Sequence, residues 1–271
     1  MLKNRARLAE DGVIVPPLMR YRAVLRDTAR ALDGRPASVD VQEALLEAIV
    51  DEAQVARLIF SDPRLICINR LVVQGPQIWP MIDRQTDALR ALFPQARIAF
   101  FIGMRNPATL VPALFAGSRF KDFAEFTTAM QPHAVTWSEM LHRLRRAQPD
   151  APVTVWCNED TPMLWADIMR AIADVPEDFP LHGLDDLAAT IMDPVGFAQM
   201  QKYFSENPPE TAAQRRRILG AFLDRYALET EMEEELDLPG WTPAKIMQMT
   251  QSYEDDIATI ATIPGVTLLT P

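Results

Sequence analysis

The stretch Ala99-Phe100-Phe101-Ile102-Gly103-Met104-Arg105-Asn106-Pro107 is where chemistry is most legible in this sequence. An apolar run ends in an arginine, and Asn-Pro follows. Proline is favoured in the first turn of a helix, so the pattern predicts a strand that delivers Arg105 to a helix start. A helix N-terminus favours anions, and a guanidinium offers phosphate a two-pronged fork. Arg105 therefore reads in two ways: as an anion-binding group, or as the partner of Glu159 or Asp160 across the sheet edge. In open parallel sheets, ligands bind beyond the carboxyl ends of the strands. Three segments then matter most: Ser61-Asp62, Met104 to Pro107, and Asn158-Glu159-Asp160.

The elements that must position these residues follow from pattern. Lys3 to Glu10 reads as helix, ended at Asp11-Gly12, where glycine suits a left-handed cap. Val13-Ile14-Val15 is a short strand closed by Pro16-Pro17, and Tyr21 to Leu32 is helical. Asp40, with Glu43 three residues on, predicts a capping box for a helix bearing Val41, Leu45, Ile49 and Val50. Leu58-Ile59-Phe60 is a buried strand, and Asp83 to Leu92 a helix. Ile98 to Ile102 is the strongest strand; its continuous apolar character predicts burial on both faces, as in parallel sheets. Helices are predicted over Phe120 to Met130, Val135 to Ala147 and Leu164 to Ala173, with a strand at Val153 to Trp156. Thr211 with Gln214 forms a further capping box. Pro243 to Ile263 is helical, and Val266 to Leu269 is a terminal strand suited to a sheet edge. Short apolar strands alternating with helices argue for an α/β fold, a mostly parallel sheet covered on both faces in three layers, with a helix-rich C-terminal half.

Composition sets outer bounds. The chain has 271 residues, 48% of them hydrophobic, and a chain of this length buries about 70–75% of its unfolded surface. One domain spanning 1–271 is expected, because no Gly/Ser linker, repeat or low-complexity tract divides the sequence. The net charge is -10 and the pI about 4.9; that field repels nucleic acid and anionic membranes. An anionic ligand then needs a local basic pocket. Cys67 and Cys157 sit in apolar, strand-like runs and read as buried thiols, too few for a disulfide framework or a Cys-based zinc site. A reducing cytoplasm fits. The charged start, Met1 to Arg7, lacks the apolar core of a signal peptide, and no run approaches the roughly 20 residues of a membrane span.

Other residues weigh less. His133, His142 and His182 are scattered without metal-ligand spacing and read as surface or capping residues. His142 shares a predicted helix with Trp137. Ser61 is not in a Gly-x-Ser-x-Gly elbow. Arg215-Arg216-Arg217 could wall an anion pocket, but reads more simply as a solvated helix face. Glu229 to Asp237 and Glu254-Asp255-Asp256 read as solvated acidic faces. Met247 and Met249 read as core filler. No metal site is predicted.

The strand-Arg-Asn-Pro-helix pattern resembles the 3′-phosphate-binding segment of sulfotransferases that use 3′-phosphoadenosine 5′-phosphosulfate. Phe60-Ser61-Asp62 is similar to that family's strand ending in Ser and an acidic residue. Phe120 to Phe126 and Trp137 resemble the variable helical segment of bacterial members. The Val153 strand with Glu159-Asp160 resembles the family's strand-plus-Glu-Asp turn. The resemblance covers nearly the whole chain through short motifs. It implies a fold of the P-loop NTPase type, sulfotransferase branch, with Arg105, Asn106 and Thr109 at a nucleotide donor's 3′-phosphate.

Two departures accompany it. The family's Ser late in the helix after Arg-Asn-Pro is here Ala113. The family's opening strand and Gly-rich loop, which hold the 5′-phosphosulfate, have no counterpart: none of the ten glycines precedes Lys, and no Gly-Thr-Thr occurs. A missing central strand would leave backbone groups on both neighbours unpaired. The expectation is a sheet gap between the Leu58 and Ile98 strands, with Met1 not the native start or the chain a fragment. Three functions stay open: a degenerate sulfotransferase-like protein with a residual anion pocket at Arg105, binding 3′-phosphoadenosine 5′-phosphosulfate or no cofactor; an active sulfuryl transferase whose donor loop lies outside this chain; and a non-catalytic interaction domain.

Overall fold

The structure is a computed structural model and describes residues 1–52, 54–228 and 238–271. The acidic run Glu229 to Asp237 lies outside the described residues. Two parallel sheets and a hairpin carry the strands.

The first sheet pairs β1 (Val13–Ile14) with β2 (Arg57–Leu58), and the Ile59 N–H donates to the Ile14 carbonyl at 2.9 Å. Pro16-Pro17 ends β1 at two residues, because proline brings no donor to a ladder. Ahead of it, α1 (Arg5–Glu10) follows a single 3-10 turn and stops at Gly12, whose φ of +71° favours glycine. Two helices follow β1, α2 (Leu18–Leu32) and α3 (Val39–Ile49). The predicted Asp40 capping box is corrected: the Ser38 hydroxyl accepts from the Val41 N–H at 3.4 Å, and Asp40 lies inside the first turn. The chain stays extended through Ser38, so that residue reaches the helix start first.

Alternate strand residues face opposite ways. Ile14 packs with Tyr21, Leu25, Leu45, Ile49 and Leu92, whereas Val13 and Val15 pack with Leu8, Met169 and Ala173. Helices therefore cover both faces of the β1–β2 pair.

A hairpin of β3 (Val73–Gln74) and β4 (Gln77–Ile78) turns at Gly75 (φ +54°). Two-residue strands leave no alternation to read, and the sequence did not predict it. The Leu65 to Ile68 run, read as strand-like, forms no strand. After α4 (Ile82–Leu92) the second sheet begins. It contains β5 (Phe100–Met104), β6 (Val153–Cys157) and β7 (Val266–Leu269), all parallel, in the order β5-β6-β7. The terminal strand is an edge strand. Among the described residues no strand pairing joins the two parallel sheets, so the discontinuity falls between β2 and β5.

Ile102, Met104, Val153 and Val155 pack into the largest core cluster with Val111, Leu141, Leu144 and Ile260. The other face of β5 is more open. Gly103 is exposed, and the Trp156 indole lies 3.2 Å from where a Cβ on Gly103 would sit. Burial of β5 on both faces is thus corrected to burial on one. The continuous apolar run hid this, because Phe101 is only half-buried and Gly103 contributes no side chain.

The remaining helices are α5 (Pro107–Ala116), α6 (Phe123–Thr127), α7 (Trp137–Ala147), α8 (Thr161–Ala173), α9 (Ala188–Ile191), α10 (Pro194–Glu206), α11 (Ala212–Tyr226) and α12 (Pro243–Ile260). The helix predicted over Phe120 to Met130 shrinks to α6, capped by Asp122, which accepts from the Glu125 N–H at 2.6 Å. Thr211 caps α11 as predicted, accepting from the Gln214 N–H at 3.1 Å. Two α12 readings are corrected: Met247 is 70% exposed, and Asp256 is 5% exposed. Among the described residues, no helix is long and apolar enough to cross a membrane.

Candidate functional site

Arg105 follows β5 directly, is half-buried, and its Nε donates to the Thr109 hydroxyl at 3.0 Å. The contact arises because α5 starts at Pro107, which puts Thr109 one turn beyond Arg105. Asn106 is the N-cap: its Oδ1 accepts from the Ala108 N–H at 2.9 Å, the role asparagine favours. Its Nδ2 donates to the Thr250 hydroxyl on α12 at 2.9 Å. The three residues singled out in the sequence thus share one turn at the carboxyl end of a parallel strand.

Three residues far away in sequence fix that turn. The Trp137 Nε1–H donates to the Arg105 carbonyl at 2.9 Å. The Trp241 Nε1–H donates to the Ala108 carbonyl at 2.9 Å. The Tyr253 hydroxyl lies 3.2 Å from the Met104 carbonyl and 3.3 Å from Glu159 Oε2. Sequence reading missed Tyr253, Thr250 and Trp241. The signal for Tyr253 was available: Met249, Tyr253, Asp256 and Ile260 recur at helical spacing, and all four are buried.

Glu159 decides what the α5 start can do. Its Oε1 accepts from the Asn106 N–H at 2.8 Å. The Thr109 and Leu110 N–H groups donate to the Asn106 carbonyl at 3.0 and 2.8 Å, and Pro107 has no N–H. The chain's own groups therefore engage the first-turn amides, with a carboxylate where an outside anion would approach. An anion approaching this turn would meet side chains rather than unengaged helix amides.

Burial sets the local electrostatics. It pushes the Asp160 carboxyl above the usual range, helped by the negative charge of Glu159. The Cys157 thiol and the Tyr253 hydroxyl are raised chiefly by burial, so both are neutral near pH 7.

The Ser61-Asp62 segment serves a different constellation. Asp62 takes a two-pronged contact from Arg22, with Nε to Oδ2 at 2.6 Å, and accepts from the Arg64 N–H at 2.8 Å. The Tyr21 hydroxyl donates to the Ser61 carbonyl at 2.9 Å. Arg22 holds the Asp62 carboxyl below its ordinary range. A depressed carboxyl contributes stability above its unfolded pKa and loses it as pH falls through the folded value. Arg22→Ala should therefore flatten the acid limb: urea titrations at neutral and acid pH should show a smaller drop in unfolding free energy than in the parent. An equal drop would rule this pair out as an acid-sensitive staple.

Within the Arg215 to Arg217 run, Arg217 is exposed, as a solvated helix face requires, but Arg215 and Arg216 are half-buried in ion pairs. Arg215 pairs with Asp185 and lies over the Phe204 ring at 4.8 Å, and Arg216 pairs with Asp167 at 2.8 Å. Both ion pairs are half-buried. His133, His142 and His182 are exposed. Among the described residues no group of His, Cys, Asp and Glu could hold a metal ion.

No family model, curated protein or solved structure matches this chain.

Proposed function

We propose that the chain is a sulfotransferase-like domain that recognises a phosphate-bearing anion at Arg105 and carries, within these residues, no loop for the sulfuryl end of a donor. The observation that carries it is the Arg105 Nε–Thr109 contact at 3.0 Å, beside the Asn106 cap and at the carboxyl end of a parallel strand. A guanidinium oriented by a threonine hydroxyl is partly pre-organised, which lowers the entropic cost of binding. Support for the three-layer P-loop architecture comes from strand order: two parallel strands, a discontinuity, then three parallel strands. The absence of any Gly-Lys or Gly-Thr-Thr sequence argues against a site for the 5′-phosphosulfate within these residues.

A second reading, a non-catalytic interaction domain, is favoured by Glu159, whose carboxylate already occupies the amino end of α5. Calorimetric titration with adenosine 3′,5′-bisphosphate separates the two. The first reading expects binding that weakens at least about tenfold in Arg105→Ala, the loss of one charge-assisted hydrogen bond. No heat from a folded parent chain would discard it in favour of the second.

A further inference from the structure

We infer that the cavity between residues 66–71 and the start of α4 is a binding site for a small, uncharged, mostly apolar molecule. Its walls are Ile66, Cys67, Ile68, Leu71, Pro80 and Met81, and the half-open space measures about 280 Å³. Ligand cavities run from about 300 Å³ upward; this space lies at the small end of that range and suits a molecule of up to about three rings rather than a protein segment.

The class of occupant follows from what lines the cavity. Charged residues make up 24% of the chain, yet none lines this space. An ion entering it would lose water and find no counter-charge. Burial pushes the Cys67 thiol up to about 11, so it stays protonated and adds no charge near neutral pH. The two polar side chains are Gln74 and Gln85. Each amide offers both a donor and an acceptor, enough to orient a ligand carrying a hydroxyl or carbonyl. At the rim, Ile68 is 45% and Met81 44% exposed, apolar surface that a bound molecule would cover.

Backbone strain marks the same place. Trp79, immediately before the Pro80–Met81 wall, has a φ of +44°. A bulky residue in the left-handed region is an outlier, and such residues persist where their surroundings over-determine them, commonly beside ligand sites. The Trp79 N–H donates to the Val72 carbonyl at 2.8 Å and its carbonyl accepts from the Ile82 N–H at 2.9 Å; the side chains that hold it lie on α7. The Arg143 guanidinium donates to the Ile78 carbonyl at 2.6 Å and the Trp79 carbonyl at 2.8 Å. The Trp79 ring meets Trp137 edge-on, 5.7 Å between centroids. The strained residue is thus clamped from α7, while the two residues after it form the cavity wall. This site stands independently of anion binding at Arg105.

Titration of the full chain with N-phenyl-1-naphthylamine, a neutral three-ring fluorophore that brightens in apolar surroundings, tests the site. Saturable enhancement at one molecule per chain is expected. Leu71→Trp, which fills the space, should weaken binding at least about tenfold, and Met81→Lys at the exposed rim about fivefold. The sulfonated analogue 8-anilinonaphthalene-1-sulfonate should bind about tenfold more weakly than the neutral probe. Arg105→Ala should bind the neutral probe as the parent does, which separates this site from the anion site. No saturable enhancement in the parent chain would overturn the inference. So would Met81→Lys binding like the parent, a readout that survives if Leu71→Trp fails to fold, or a preference for the sulfonated probe.

Discussion

Asp256→Ala is expected to lower the free energy of unfolding by about 3 kcal/mol, a large share of a typical domain's margin. The residue is 5% exposed, and its Oδ2 accepts from the Trp137 N–H at 2.6 Å and the Ser138 N–H at 3.1 Å. Thr136, the local N-cap of α7, makes no side-chain cap bond. The cap comes instead from α12, well over a hundred residues later in the chain. Alanine would orphan two buried donors, at about 1–3 kcal/mol in total, and remove a negative charge from the positive end of a helix dipole, worth about 0.3–1 kcal/mol. Asp256→Asn keeps an acceptor and should lose roughly half as much. Urea unfolding of the three proteins measures this. A change below about 1 kcal/mol in the alanine variant would show that water or a local group replaces the cap.

The same residue shows where sequence reading stops. Glu254-Asp255-Asp256 reads as one acidic, solvated face, and for Glu254 and Asp255 it is one. Asp256 is different because helical geometry turns it onto the buried stripe with Tyr253 and Ile260. Once a carboxylate is buried it needs donors, and the α7 start provides them. Local signals were legible at the site for an equivalent reason. Arg105, Asn106, Pro107 and Thr109 sit within one turn, so chain geometry alone brings them together. Glu159, Thr250, Trp241 and Tyr253 arrive through tertiary packing, and only the strand pairing of β5 with β6 brings Glu159 to the Asn106 amide. The strand at Val153 and the edge strand at Val266 to Leu269 were readable because burial follows their pattern. The β3–β4 hairpin was not, because two residues per strand carry no periodicity.

Arg143→Met should cost about 3 kcal/mol and should also change the environment of two tryptophans. Methionine keeps most of the apolar stem, so the loss reports the guanidinium. The Arg143 side chain is 10% exposed. It donates to the Ile78 and Trp79 carbonyls and to both Glu139 oxygens, with Nε to Oε1 at 2.8 Å. Removing it takes one donor from each of the Ile78 and Trp79 carbonyls, the second of which keeps the Ile82 N–H at 2.9 Å, and leaves Glu139 without its cation. Glu139 is 41% exposed, so water recovers its share, and the carbonyls carry the greater part of the cost. Arg143→Lys should recover at most about one hydrogen bond, roughly 1 kcal/mol, because a point charge cannot span both carbonyls. The second consequence concerns geometry. The Trp79 carbonyl keeps the Ile82 N–H at 2.9 Å and the Trp79 N–H keeps the Val72 carbonyl at 2.8 Å, but the guanidinium ties this turn to α7, so its left-handed backbone should relax in part once the clamp goes. The edge-on contact with Trp137 should then weaken, and the near-ultraviolet circular dichroism should fall before unfolding begins. Since the Trp137 indole also holds the Arg105 carbonyl, the loss should reach the anion site proposed at Arg105 as weaker binding of adenosine 3′,5′-bisphosphate. An unchanged tryptophan signal, with stability reduced as expected, would mean that the strain at Trp79 is set by the hairpin and not by α7.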